Sequence, residues 1–140
     1  MKLGEGLRAC QVDSQKIQQV LINIFVNACH AMPNGGSLTV TTSEKMAGAD
    51  DSDYAASKLA DPRYRAGDRL VVLEIRDTGT GISEEVLKKI FDPFFTTKKD
   101  GKGTGLGMAV TRQIVELHRG LISIGNAEGG GAMVTITFTQ

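Results

Sequence analysis

The sequence predicts an α+β fold, a two-layer α/β sandwich with three main helices packed on one face of a mixed β-sheet. Three observations carry this expectation. Residues 13–31 repeat apolar side chains at helical spacing, and Leu70 to Asp77 alternates them at strand spacing. Residues 121–139 read as two strands joined across Gly129-Gly130-Gly131.

Each element has a local reason. Asp13 is a good N-cap for the first helix. Ile17, Val20, Leu21, Ile24, Phe25 and Ala28 form one stripe along it, and Pro33 with Asn34-Gly35-Gly36 ends it. Ser37 to Ser43 reads as a strand. Residues 44–68 are rich in Ala, Asp, Ser and Gly and read as an exposed insertion loop with a short helix around Ala55–Leu59. Such a loop is either an interaction element or a tolerated surface insertion. In Leu70 to Asp77, the residues Val71, Leu73 and Ile75 share a face, and Asp77 continues their period. A carboxylate is thereby aimed at the apolar side, where burial is costly without a partner. Ser83 caps a short helix reaching Ile90, with Glu84 and Glu85 suited to its first turn. A third helix starts near Gly105 and runs to His118, with Leu106, Val110, Ile114 and Leu117 as its stripe and Gly120 as its stop. Strands Leu121–Gly125 and Ala132–Thr139 complete the sheet.

Composition narrows the class. The 140 residues make a single domain, 1–140, with a hydrophobic fraction of 41% that suffices for a core. Sixteen basic and sixteen acidic residues cancel. No bulk electrostatic argument therefore favours a nucleic acid or a membrane surface, and neither contact is expected. Charge is local: Lys98, Lys99 and Lys102 cluster, apart from Asp50, Asp51 and Asp53. Cys10 and Cys29 lack metal-ligand spacing and read as reduced thiols. No apolar run approaches the ~18 residues of a membrane span. The expectation is a cytoplasmic domain, whose parent could still be membrane-anchored.

Four stretches could carry chemistry. Asn23 and Asn27 stack one turn apart at the edge of the first helix's apolar stripe, with Lys16 and His30 on the same flank. Amide oxygens suit Mg²⁺, which takes few protein ligands and fills its shell with phosphate and water. The same pair also fits two ordinary polar residues at a helix edge. Asp77 could accept from an adenine amino group or serve as a turn residue before Gly79. Gly103-Thr104-Gly105-Leu106-Gly107 lacks the spacing of a P-loop or a Rossmann fingerprint, yet it leads into a helix, whose N-terminus offers free amides to phosphate. The segment FDPFFTTKK, from Phe91 to Lys99, suggests a hinged lid: its aromatics would anchor it and Lys98 would reach a phosphate.

These stretches, in this order, closely resemble the catalytic ATP-binding domain of two-component sensor histidine kinases, within the gyrase, chaperone, histidine kinase and mismatch-repair ATPase superfamily. The N box is Asn23-Ile-Phe-Val-Asn27-Ala28, and the first glycine box is Asp77-Thr-Gly-Thr-Gly81. The F box runs from Phe91 to Lys98, and the second glycine box from Gly103 to Gly107. The wording of the F box is similar to the nitrogen-regulator-like branch. The resemblance covers about Gln11 to the C-terminus, less the 44–68 insertion.

The resemblance implies a Bergerat-type fold with ATP held between helices and sheet. It implies that Asp77 bonds the adenine amino group while Gly79 and Gly81 make room for the ring. Asn27 would be the principal Mg²⁺ ligand, with Asn23 beside it. Residues 91–105 would form the ATP lid. Phe91, Lys98, Gly103, Thr104, Gly105, Leu106 and Gly107 would contribute to nucleotide binding, with His30 and Lys102 as further phosphate contacts. Asn23, Asn27 and Lys98 would carry the catalytic role. In ATP-hydrolysing relatives a glutamate stands where this chain has Asn23, and an amide is no general base. The γ-phosphoryl should then await a histidine nucleophile on a dimerisation hairpin, with a response regulator downstream. Some branches place a lysine and a tyrosine where His30 and Ala31 stand, and a threonine where Ala132 stands. This chain lacks those contacts, which points to weaker nucleotide affinity. Neither His30 nor His118 lies in an acceptor-type motif. The chain is therefore expected to be a fragment that binds ATP without autophosphorylating. The alternatives are an ATP-hydrolysing or serine-kinase relative, or a nucleotide-binding module without catalysis.

Overall fold

Strand alternation decides which side of the sheet the helices cover. The computed structural model describes residues 9–47, 64–65, 67–96 and 105–140. Its elements are α1 (Ser14–Ala31), β1 (Leu38–Met46), β2 (Arg69–Asp77), α2 (Glu84–Lys89), α3 (Gly107–Leu117), β3 (Leu121–Asn126) and β4 (Ala132–Thr139). The sheet order is β1-β2-β4-β3. The α+β sandwich is as expected. The mixed sheet narrows to antiparallel pairing throughout the described strands.

In register, Ile75 faces Val134 and Leu73 faces Ile136, while Ile122 and Ile124 extend the same surface from β3. Val20 and Ile24 of α1 and Ile114 and Val115 of α3 close over it, with Phe138 completing the core. α1 is set by Asp13, whose side chain accepts from the N–H groups of Gln15 and Lys16. The two long helices are tied at their far ends as well. His118 Nε2 accepts from the main-chain N–H of Asp13 at 3.1 Å, while its Nδ1 lies 2.8 Å from the Ile114 carbonyl. Because that carbonyl can only accept, Nδ1 carries the proton.

Four expectations change. The stripe of α3 is turned: Thr111, Ile114 and Val115 are buried, while Leu106 and Leu117 are exposed. The third helix starts at Gly107 rather than Gly105, since Gly105 has φ +67 and cannot lie in a right-handed helix. Arg119, not Gly120, takes the left-handed conformation after it. Finally, Glu44–Met46 belongs to β1, paired with Val71, Leu70 and Arg69, so the insertion is shorter than 44–68. Glu44 also meets Arg69 at 3.2 Å, which gives these polar residues a reason to stay in the sheet. The pairing closes with Ala47 N–H to the Asp68 carbonyl at 2.8 Å. The proposed helix at residues 55–59 lies outside the described residues.

β2 is also buried on its second face, which the sequence reading had not assigned. Leu70 and Val72 are fully buried, and Leu70 packs with Ala47, Tyr64 and Leu121. The Tyr64 hydroxyl donates to the Thr137 carbonyl at 3.2 Å. Ile136, 1% exposed at the centre of the helix-facing core, is the position where a cavity should be felt most. Ile136→Ala is expected to cost about 2–5 kcal/mol, measured as a lowered midpoint in chemical denaturation with an unchanged slope.

Candidate functional site

The helices do not seal the sheet completely. A cleft of about 590 Å³ opens between α1, α2, the start of α3 and the ends of β2, β3 and β4. Its floor is apolar, with Ile75, Ile124 and Val134, while Val86 and Ile90 of α2 supply one wall. Its polar groups sit at two ends. This size and this apolar lining with a few directed polar groups suit a small-molecule ligand.

At one end stands Asp77, 7% exposed at the last position of β2. Its Oδ1 accepts two main-chain N–H groups, from Gly79 at 2.8 Å and from Ala132 at 3.1 Å. Those two bonds offset the cost of burying the carboxylate. Among the described residues Oδ2 has no partner, and no fully buried side-chain oxygen is left unpaired. Oδ2 therefore keeps access to the cleft. The approach of Ala132 depends on Gly131, whose φ is +81 and whose missing Cβ would collide with the Asp77 carbonyl.

The loop after Asp77 is held from two sides. Thr80 N–H donates to the Ala31 carbonyl at the end of α1 at 3.2 Å. Asn126 pairs with Ile82 through both amide atoms, accepting its N–H at 2.7 Å and donating to its carbonyl at 2.8 Å. A side chain thus imitates a rung of β-ladder between the end of β3 and the glycine loop.

Away from Asp77, Asn23, Asn27 and His30 of α1 line the cleft together with Gly105, Gly107 and Met108. Asn23 Nδ2 donates to the Gly107 carbonyl at 3.3 Å and to Thr111 Oγ1 at 3.2 Å. Among the described residues helix α3 has no side-chain cap and no acidic residue in its first turn. The positive end of its dipole borders the cleft, which Gly107 and Met108 line. Phe94, with φ 66, packs against Gly105, at which any Cβ would strike the Phe94 backbone.

The cleft thus gathers Asn23, Asn27, His30, Asp77, Gly81, Gly105 and Gly107 of the sequence-derived site. Gly79 contributes its N–H to Asp77 without lining the cleft. Leu106 stands at the N-cap of α3, outside the lining. Phe91 does not line it either: its ring lies under the Arg112 guanidinium, 5.4 Å away, and Phe95 and Thr96 line the cleft instead. Lys98, Lys102, Gly103 and Thr104 lie outside the described residues. Among the described residues no cluster of His, Cys, Asp and Glu could hold a metal ion. The amide oxygens of Asn23 and Asn27 are the donors available, and they suit a hard cation whose remaining ligands are phosphate and water. Sequence reading missed Asn126 and Thr111. Both act through bonds to residues far away in sequence, and neither carries a motif.

Residues 12–140 match the family of histidine kinase-, DNA gyrase B- and HSP90-like ATPases. The chain belongs to that family. It is 40% identical over 133 residues to the sensor kinase CckA of Brucella abortus (strain 2308), covering 95% of this chain and 13% of that protein. It is 37% identical over 133 residues to the sensor histidine kinase ZraS of Salmonella typhi, covering 95% of this chain and 24% of that protein. The chain thus spans a quarter or less of these curated relatives. The solved catalytic domain of histidine kinase ThkA, nucleotide-free, superposes with a TM-score of 0.68 at 30% identity, over 93% of this chain and 70% of that one. Among the described residues no helix is long and apolar enough to cross a membrane.

Asn126→Ala removes both bonds to Ile82 and should release the glycine loop without unfolding the sheet. The expected cost is about 1 kcal/mol of local stability, read as faster hydrogen exchange at the Ile82 amide with little change in the global unfolding midpoint.

Proposed function

We propose that this chain is the ATP-binding catalytic domain of a sensor histidine kinase, which holds Mg²⁺-ATP and presents its γ-phosphoryl to a histidine carried outside the chain. The observation that carries the reading is the division of labour at Asp77. Oδ1 is occupied by two main-chain donors, so Oδ2 is an acceptor of fixed direction at the apolar end of a cleft. An adenine amino group is a donor on a flat apolar ring and matches that acceptor. The N-terminus of α3 and the amides of Asn23 and Asn27 stand at the end where the phosphates would lie.

On this reading the chain acts mostly by positioning. Asp77 fixes the base, and Ile75 and Val134 exclude water beneath the ring. Asn27, exposed on the cleft wall, and Asn23 would hold Mg²⁺ through their oxygens. When bound, the metal supplies neutralisation of the phosphate charge. The α3 amides orient the tail, with His30 beside it. Lys98, Lys102, Gly103 and Thr104 are proposed as further phosphate contacts from the lid. Asn23 cannot take a proton from water at neutral pH, so the domain stores the phosphoryl group rather than hydrolysing it. The acceptor is proposed to be a helical hairpin of the parent kinase, in the cytoplasm, with a response regulator beyond it.

Asp77→Asn tests the adenine role without disturbing the fold. The retained oxygen still accepts from Gly79 and Ala132, while an N–H₂ group replaces Oδ2 and opposes the adenine donor. Calorimetry is expected to show Mg²⁺-ATP affinity reduced at least tenfold, about 1.4 kcal/mol, with unchanged thermal stability. Equal affinity in the variant would remove the adenine assignment. Labelled ATP should leave the chain itself unphosphorylated and mark an added hairpin fragment bearing the acceptor histidine. Steady hydrolysis abolished by Asn23→Ala would instead favour the hydrolytic relatives.

A further inference from the structure

Thr111 is fully buried on α3 and meets α1 through a polar contact. Its hydroxyl and the Gly107 carbonyl are both acceptors for Asn23 Nδ2, at 3.2 and 3.3 Å. This arrangement settles the roll of the Asn23 amide. A main-chain carbonyl can only accept, so the Asn23 atom beside Gly107 must be its nitrogen. A flipped amide would set Oδ1 against the Gly107 carbonyl, acceptor against acceptor, and would forfeit that bond. With Nδ2 committed to α3, Oδ1 is the amide atom left for the cleft that Asn23 lines.

We infer that Thr111 is a positioning residue: its hydroxyl, with the Gly107 carbonyl, holds Asn23 so that the cleft is offered an oxygen acceptor at this point and not an N–H donor. The inference rests on the nucleotide reading above and sharpens it. A bare phosphate oxygen would need a donor here, whereas Mg²⁺ or a water in its shell needs an acceptor. Asn23 is thereby assigned to the cation and its water, and the anionic tail is left to the α3 amides. Groups that orient a metal ligand from behind influence affinity for the metal almost as directly as the ligand does. Thr111 has the requisites for that role: burial, a hydroxyl within bonding distance, and a place on the helix that opens the cleft.

Valine has the shape of threonine without the hydroxyl, so Thr111→Val should fold. The 140-residue chain, Thr111→Val and Thr111→Ser would be titrated by calorimetry with AMP, and with ATP in the presence and absence of Mg²⁺. The affinity gained on adding Mg²⁺ is expected to fall about tenfold in Thr111→Val. AMP affinity should hold, and Thr111→Ser should restore the gain. In the ligand-free chain, the Asn23 side-chain NH₂ signals, assigned by their absence in Asn23→Asp, should shift and exchange faster in Thr111→Val. If the wild type binds nucleotide and Thr111→Val keeps the full Mg²⁺ gain, or if Thr111→Ser behaves like Thr111→Val, this inference falls and the nucleotide reading stands. If the wild type binds neither AMP nor Mg²⁺-ATP, the nucleotide reading falls and takes the inference with it.

Discussion

Burying one carboxylate at the end of a central strand is the constraint around which the cleft is organised. Asp77 lies on the same face of β2 as Ile75 and Leu73, where a charge without partners would be unfavourable. Two main-chain donors relieve it, and each requires a particular backbone path. One path is the tight turn to Gly79. The other is the return of β4 through Gly131, which only a residue without Cβ can make so close to the Asp77 carbonyl. The start of the last strand, the glycine loop and the end of the cleft where Asp77 stands are thus consequences of satisfying one side chain. Because both donors share a single oxygen, the second oxygen remains directed and unspent.

The helical layer is held by polar contacts as well as by its core. α1 and α3 run antiparallel, and side chains join them at both ends. Asn23 grips the first turn of α3, and His118 reaches from its far end to the Asp13 main chain. Apolar packing between helices tolerates small slides, whereas hydrogen bonds of defined direction do not. Two such contacts at opposite ends of α3 set its register along α1, which in turn places the Gly107 end of α3 over the cleft.

Much of this was legible in the sequence, because alternation and helical spacing report which side of an element is covered. α1, α2 and the β3–β4 hairpin follow their apolar patterns closely. The pattern failed where both faces of an element are used. Leu70 and Val72 are buried behind the sheet, although Val71, Leu73 and Ile75 form the stripe that alternation picks out. Around α3, Leu106 and Leu117 fit a helical stripe by spacing, yet the buried line runs through Thr111 and Val115, the side on which Asn23 bonds Thr111. Asn23, Asn27 and Asp77 could be singled out by motif, and they do border one cleft. Asn126 and Thr111 could not, since a hydrogen bond to a partner far away in sequence leaves no spacing to read. Phe91 shows the converse: an aromatic in a glycine-rich context drew attention to itself, while the cleft uses Phe95 and gives Phe91 to Arg112.

The contact between His118 and Asp13 gives the molecule a mechanical property. α3 is a stiff rod of 11 residues, roughly 16 Å long at the usual rise of 1.5 Å per residue. One end of the rod borders the cleft, and the other is fastened to the point where the backbone passes into α1. The hydrogen bond to Asp13 holds the tail of the rod, and Asn23 holds its first turn beside the cleft. A tug on the polypeptide at Asp13 and a ligand seated against Gly107 act on the same rigid body from opposite sides.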